Sequence, residues 1–397
     1  MKIMLSLKDY NFKDKKVLVR CDFNVPIEDN KIKDDFRIQK TLPTIEYLKN
    51  VGAKIILMSH MKRPGVQNQK FSLKIIVPKL EELLKARVKF CNECVGMKAK
   101  WKTEKLKSGE ILLLENLRHH KGEEENDKEF AKSLAELGEV YVNEAFSVCH
   151  RNHTSLVLLP KLLPHFAGLQ LEKEIESLSR ISKTVKKPLC IIVGGKDVEF
   201  EIKVVEKFLE FSDHILFGGQ VANVLLRVKG ICIGKPWPKD EICHLVKKMN
   251  LTETKIHLPV DVLVSPDKKG DIYIRETGAG SIRKEEEALD IGKETITIFS
   301  EIIKNSQTIF WSGALGYFEN EKFSQGTKKI AKTIAQKNDC FTVAGGGDTV
   351  RALRECNVLD KFSFVSTGGT AMLSFLAGEK LPGLEALEES KDHSIGF

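Results

Sequence analysis

The chain has 397 residues, 42% of them hydrophobic and 30% charged, with a formal net charge of +8. That length exceeds one ordinary core, so two domains of about 200 residues each are expected. No apolar run approaches the roughly 18 residues that cross a bilayer, and the opening MKIMLSLKDYNF lacks the apolar stretch of a signal peptide, so a cytoplasmic protein away from membranes is expected.

Apolar runs at 17–21, 53–58, 111–114 and 140–142 predict the strands of a first domain, with helices over 38–50, 73–85 and 127–137. A helical stretch at 170–182, ending before Pro188, predicts a connector. Runs at 189–193, 214–217, 260–264, 308–311, 340–343 and 362–365 predict the strands of a second domain. Its helices are expected over 201–211, 285–304 and 328–337. The alternation predicts an α/β protein of two doubly wound parallel-sheet domains, joined by a connecting helix and with a hinge cleft. The bounds read as 1–168, 169–182 for the connector, and 183–384. The acidic runs at 123–125 and 285–287 are expected at exposed helix starts, where carboxylates suit the helix dipole.

In parallel sheets ligands sit beyond the carboxyl ends of the strands. In the first half those ends carry Asp22 and Asn24, then His60, Lys62 and Arg63, then Arg118, then His150, Arg151 and His153. Arg37 opens the helix after a hairpin-like loop. A single arginine there is most often a cap or a surface ion pair. Repetition at successive strand ends instead predicts a pocket for a small, multiply charged anion, because the guanidinium fork fits carboxylate and phosphate oxygens.

The second half ends its strands with Gly194-Gly195, Gly218-Gly219, Gly313-Ala314-Leu315-Gly316, Gly345-Gly346-Gly347-Asp348-Thr349 and Gly368-Gly369-Thr370. Glycine lets a ligand approach the backbone, and a helix N-terminus favours anions, so a polyphosphate fits here. Asp348 is placed to hold Mg²⁺. Neither GxxxxGK[ST] nor a GxGxxG after the first strand is present. One basic half and one glycine-rich half together predict phosphoryl transfer with hinge closure.

The positive charge does not predict nucleic-acid binding. The densest lysine cluster, at 98, 100, 102, 105 and 107, alternates with neutral and acidic residues. Nine scattered cysteines read as reduced thiols, and Cys91 and Cys94 have CxxC spacing without the second pair that a zinc site needs.

Taken together, Cys21-Asp22-Phe23-Asn24-Val25-Pro26, Asp35-Phe36-Arg37-Ile38, Ser59-His60-Met61-Lys62-Arg63-Pro64, Glu115-Asn116-Leu117-Arg118 and His150-Arg151 resemble the substrate motifs of phosphoglycerate kinase. In the second half Pro259-Val260-Asp261-Val262, Leu289-Asp290-Ile291-Gly292, Trp311-Ser312-Gly313, Gly345-Gly346-Gly347-Asp348 and Ser366-Thr367-Gly368-Gly369 are similar to that family's motifs, in order. The resemblance implies transfer between 1,3-bisphosphoglycerate and ADP, with Mg²⁺, in glycolysis, by a monomer. It implies that Asp22, Asn24, Arg37, His60, Arg63, Arg118 and Arg151 bind 3-phosphoglycerate. Arg37, Gly368 and Gly369 would stabilise the transferring phosphoryl group. Gly194, Gly195, Glu201, Glu319, Gly346, Gly347, Asp348 and Thr349 would meet the nucleotide, with Asp348 on the metal. The tail, about 385–397, would pack back on the first domain.

The chain also departs from the family pattern. Asp197 and Glu201 stand where the family has two lysines. Ser312, Ala314, Thr370, Lys293, Glu294, Gln220 and Lys62 replace other family residues. Unit charges about 4 Å apart interact by about 4 kcal/mol at an effective dielectric near 20, so two sign reversals beside a triphosphate weigh heavily. Two functions therefore stay open: a phosphoglycerate kinase-like phosphotransferase, and a weak or inactive relative that binds 3-phosphoglycerate as a sensor.

Overall fold

The computed structural model describes residues 5–61, 71–196, 198–231, 234–249 and 253–388. The chain divides into two compact units, Met1–Ile175 with Lys380–Phe397, and Glu176–Glu379. The expected positions of Arg63, Lys62 and Asp197 lie outside the described residues, as does the tail beyond 388.

The first unit is built on strands β1 (Lys16–Arg20), β4 (Lys54–Met58), β5 (Val88–Phe90), β6 (Ile111–Leu113), β7 (Val140–Asn143) and β8 (His165–Ala167), with a hairpin of β2 (Ile27–Glu28) and β3 (Lys31–Ile32) beside them. The sheet order is β5-β6-β4-β1-β7-β8, and every pairing is parallel. Continuous runs such as Lys16-Val17-Leu18-Val19-Arg20 suit strands covered on both faces, and all but Lys16 of that run are buried. Chain order changes direction between β1 and β7, which leaves a crevice at their carboxyl ends. The hairpin turns through Asp29 and Asn30, both at positive φ, as a tight two-residue turn requires.

Glu144, just past β7, starts the helix Leu169–Lys183. Its carboxylate accepts from the Gln170 and Leu171 amides at 3.0 Å each. Burial still lifts Glu144 to about 7. The chain passes from the first unit to the second within this helix. The helix Pro382–Glu388 belongs to the first unit, where Gly383 N–H donates to the Cys149 carbonyl at 2.9 Å.

The second unit holds β9 (Leu189–Val193), β10 (His214–Phe217), β11 (Ile256–His257), β12 (Asp261–Ser265), β13 (Arg275–Gly278), β14 (Glu287–Ile291), β15 (Thr308–Ser312), β16 (Phe341–Gly345) and β17 (Phe364–Val365). Its main sheet runs β11-β10-β9-β15-β16-β17, all parallel. The direction reverses between β9 and β15, so Gly194 and Gly313 leave the sheet side by side.

Several expectations need correction. The run at 260–264 does not join the parallel sheet. As β12 it pairs antiparallel with β13 and β14 in a separate three-stranded sheet. The run at 285–304 is not one helix: 287–291 is strand, Gly292 caps the helix Lys293–Asn305, and Asp261 accepts from the Thr295 amide at 2.7 Å. The acidic run at 285–287 is not an exposed helix start either. Glu286 is fully buried and takes Arg275 in two hydrogen bonds of 2.7 and 2.6 Å. That bond lowers Glu286 to about 2. Glu123, in the other acidic run, is likewise fully buried, facing Arg20.

Candidate active site

The crevice at the end of β1 and β7 collects the basic residues. Arg37, on the first turn of the helix Phe36–Asn50, donates to Asp22 Oδ2 at 2.8 Å and to the Asn24 carbonyl at 3.4 Å. Asp22 also accepts from the Asn24 amide at 3.0 Å and from the Ser147 hydroxyl. Asp22 therefore fixes Arg37 and the turn at Asn24 together. His60 Nε2 stands 4.0 Å from Asp22 Oδ1.

Beneath them lies Arg20, the last residue of β1, which is not among the expected site residues. It is fully buried and donates to Ser155 Oγ at 2.8 Å, the Cys21 carbonyl at 2.6 Å and His60 Nδ1 at 3.2 Å. An arginine can only donate, so His60 Nδ1 accepts and its proton sits on Nε2. Glu123 Oε1 is 3.7 Å from Arg20 Nη2, and both side chains are inaccessible. Glu123 also accepts from the Ser155 hydroxyl at 2.6 Å and amide at 3.0 Å.

Arg118 projects from the short turn Leu117–His119, held by Asn116, whose Oδ1 accepts from the Arg118 amide at 3.1 Å. Its side chain is 2% exposed, with Nε 3.2 Å from Glu124 Oε1. Asn116 also ties the turn to the Met61 and Phe71 carbonyls at 3.3 and 2.9 Å. Arg118 Nη1 and His153 Nδ1 are buried with no hydrogen-bond partner among the described residues.

The electrostatics of this group are one-sided. Burial, then the fields of Arg20, Arg118, Arg37 and His153, hold His60 well below its ordinary value. Burial and the fields of Arg118, Arg20 and Arg151 push His153 down to about 3. Burial and Arg20 bring Arg118 down to about 10. Cations that depress one another in a shielded place are stabilised by an incoming anion. The histidines are neutral here, so they offer directed hydrogen bonds, and the arginines supply the charge. His153 and Arg20 join the expected set of Asp22, Asn24, Arg37, His60, Arg118 and Arg151.

In the second unit a cavity of about 360 Å³ opens beside the switch between β9 and β15. Gly195, Glu319 and Asp348 of the expected set line it, together with Lys196, Gln220, Lys268, Glu287, Leu289, Tyr317 and Phe318. The aromatic side chains of Tyr317 and Phe318 suit a ring system, and Glu287 and Glu319 suit hydroxyl donors. Glu287 and Leu289 reach it from β14, Gln220 from the first turn of the helix Gly219–Val228, and Tyr317, Phe318 and Glu319 from the segment after β15. Asp348, on the first turn of the helix Gly347–Glu355, is 3.7 Å from Lys196 Nζ.

The expected glycines separate into two kinds. A Cβ at Gly194 would lie 2.2 Å from the Ala314 carbonyl, so that glycine lets two strand exits pack backbone to backbone. A Cβ at Gly347 or Gly369 would meet nothing within 4 Å, leaving room for a ligand to reach the main chain. The Gly368 amide donates to Ser366 Oγ at 3.0 Å. Thr349 is buried, and its hydroxyl accepts from Gly313 N–H at 2.7 Å, which pins the Gly313 turn. Trp311, fully buried beneath the same turn, donates from Nε1 to the Gly313 carbonyl at 2.7 Å.

Glu201 does not line the cavity. It lies on the first turn of the helix Val198–Phe208, 5% exposed, and accepts from Ser312 Oγ at 2.8 Å. Two of the departures noted in the sequence, at 201 and 312, thus satisfy one another. Cys91 and Cys94 are both buried in the first unit, where the Cys94 thiol donates to the Glu115 carbonyl at 2.9 Å.

Comparison with known proteins agrees with this geometry. The family model described as phosphoglycerate kinase matches residues 7–379. The chain is 40% identical to the phosphoglycerate kinase of Borrelia hermsii, over 97% of this chain and 99% of that one. It is 42% identical to that of Leptospira biflexa, over 98% of each. Among solved structures, phosphoglycerate kinase from Pyrococcus horikoshii superposes with a TM-score of 0.88 at 35% identity, over 97% of this chain and 98% of that one. The enzyme from Coxiella burnetii gives 0.83 at 34%, over 97% and 99%. The shielded cation cluster, the cavity beside the switch between β9 and β15 and a match along nearly the whole chain place this protein in the phosphoglycerate kinase family.

Proposed function

We infer that this chain is a phosphoglycerate kinase, transferring the acyl phosphate of 1,3-bisphosphoglycerate to ADP and forming 3-phosphoglycerate and ATP. The observation that carries this reading is the cation group Arg20, Arg37, Arg118 and Arg151, with His60 and His153 beside it. Two of those side chains are buried with an open hydrogen-bonding atom. An anion with a carboxylate at one end and a phosphate at the other uses such a group fully. Arg37, fixed by Asp22, keeps solvent access, its side chain being 34% exposed, and it is the one assigned to the moving phosphoryl group.

The nucleotide belongs to the cavity of the second unit, with its base along Tyr317 and Phe318 and its ribose hydroxyls at Glu319. Its phosphates run toward the Gly346–Gly347 turn. Asp348, an exposed carboxylate on that turn, fits a Mg²⁺ that keeps waters and phosphates as its other ligands. When bound, the metal neutralises charge on the phosphate chain. The protein's part is positioning and charge placement, and no side chain takes or gives a proton.

A coupled assay that supplies 1,3-bisphosphoglycerate and MgADP and records ATP tests this reading. Turnover is expected. Tight 3-phosphoglycerate binding without turnover would overturn it and identify a sensor.

A further inference from the structure

Residue 201 is an acid turned onto Ser312, so the second unit needs a cation elsewhere to meet a phosphate chain. We propose that Lys196 is that cation: its ammonium makes the charged contact to the phosphates of a bound nucleoside diphosphate. The proposal rests on the nucleotide assignment of the cavity given above.

Three observations carry it. First, Lys196 lines the same cavity as Glu319 and Asp348. The cavity's other lysine, Lys268, is held 3.5 Å from Glu287 and over the Tyr317 ring. Second, Nζ of Lys196 stands 3.7 Å from Asp348 Oδ2, at the start of a nine-residue helix whose Gly347 faces open space. The ammonium and the first N–H groups of that helix therefore converge on one small volume, the arrangement that suits a phosphate. Third, the backbone next to Lys196 is held in place. Gly195 N–H donates to the Ala314 carbonyl at 2.7 Å, and the Gly195 carbonyl accepts from Gln220 N–H at 2.9 Å. The side chain is thus rooted in a braced loop although it is itself 69% exposed.

An ion pair this exposed adds little stability. Lys196 is therefore free to exchange Asp348 for a phosphate at little cost to the fold. The contact is specific to the phosphate chain: adenosine gains nothing from it.

The test is calorimetric titration of the full chain with ADP, AMP and adenosine, without Mg²⁺, for the wild type, Lys196→Met and Lys196→Arg. A lost hydrogen-bonded charge contact weakens binding by roughly tenfold, so Lys196→Met should lose about that factor for ADP and none for adenosine. Lys196→Arg should bind ADP within about twofold of the wild type, because it keeps the charge. The urea midpoint of Lys196→Met should match the wild type, separating this role from a structural one. Unchanged ADP affinity in Lys196→Met, or an equal loss for adenosine, would overturn the proposal alone. A wild-type chain that binds neither ADP nor adenosine would instead overturn the nucleotide assignment, and the proposal with it.

Discussion

Replacing Arg118 by methionine should make the ligand-free protein more stable while removing its affinity for the acid substrate. In the fold the guanidinium falls from 12.5 to about 10, chiefly by burial and then by Arg20. A tenfold change in proton affinity is about 1.4 kcal/mol, so keeping Arg118 charged costs the fold roughly 3 kcal/mol. That cost applies at every pH below about 10, where the arginine is protonated in both folded and unfolded chains, and is relieved only above it. Methionine keeps much of the volume but gives up the 3.2 Å contact with Glu124, a half-exposed partner worth at most about 1 kcal/mol. A net gain of about 2 kcal/mol remains. Urea unfolding of both proteins, with and without saturating 3-phosphoglycerate, measures it. The wild type should gain about 2.7 kcal/mol from ligand at a hundredfold excess over Kd, and the variant almost nothing. A variant less stable than the wild type in the absence of ligand would refute the view that these cations are strained against one another.

The converse perturbation is Glu123→Gln, which leaves the buried Arg20 without its carboxylate; a loss of about 3–5 kcal/mol in urea unfolding is expected, and a loss below about 1 kcal/mol would contradict a buried ion pair. In the second unit, burial raises Asp290 from 3.8 to about 7 even though it accepts from the Gly326 amide at 2.8 Å. Its protonated form favours the fold, so stability should be full below pH 3.8 and fall as the pH rises through about 7; Asp290→Asn should remove that slope, as thermal melts across this range would show. Two alanine substitutions should behave oppositely. Gly194→Ala drives a methyl into the Ala314 carbonyl and should cost roughly 3 kcal/mol or more, whereas Gly347→Ala, in open space, should keep the melting temperature and weaken ADP binding.

The strands of both parallel sheets were legible because strands buried on both faces need continuous apolar runs, and 17–21, 189–193 and 308–311 are such runs. The antiparallel sheet was not. The 287–291 segment has helix-compatible residues, and only its pairing with β12, far back in the chain, makes it a strand. The basic residues at strand ends were readable because parallel topology brings all such ends to one edge. Arg20 escaped notice because it closes an apolar run, and its burial depends on Glu123 and Ser155, both more than a hundred positions away. Glycine spacing could not distinguish Gly194, which lets two backbones touch, from Gly347, which leaves a space. The inward turn of Glu201 depends on the hydroxyl of Ser312, 111 positions away, which no local pattern shows.

The tryptophans offer an optical consequence of the turn at Gly313. Of the three, Trp101 and Trp237 are 55% and 51% exposed, whereas Trp311 is sealed and its indole N–H is bonded to the Gly313 carbonyl. A water-soluble quencher extinguishes the emission of the first two and leaves the third as a blue-shifted, single-site signal. That residual emission comes from directly beneath the loop where Gly194, Gly313 and Thr349 meet. The protein thus carries a built-in fluorophore for its second unit, readable without a label.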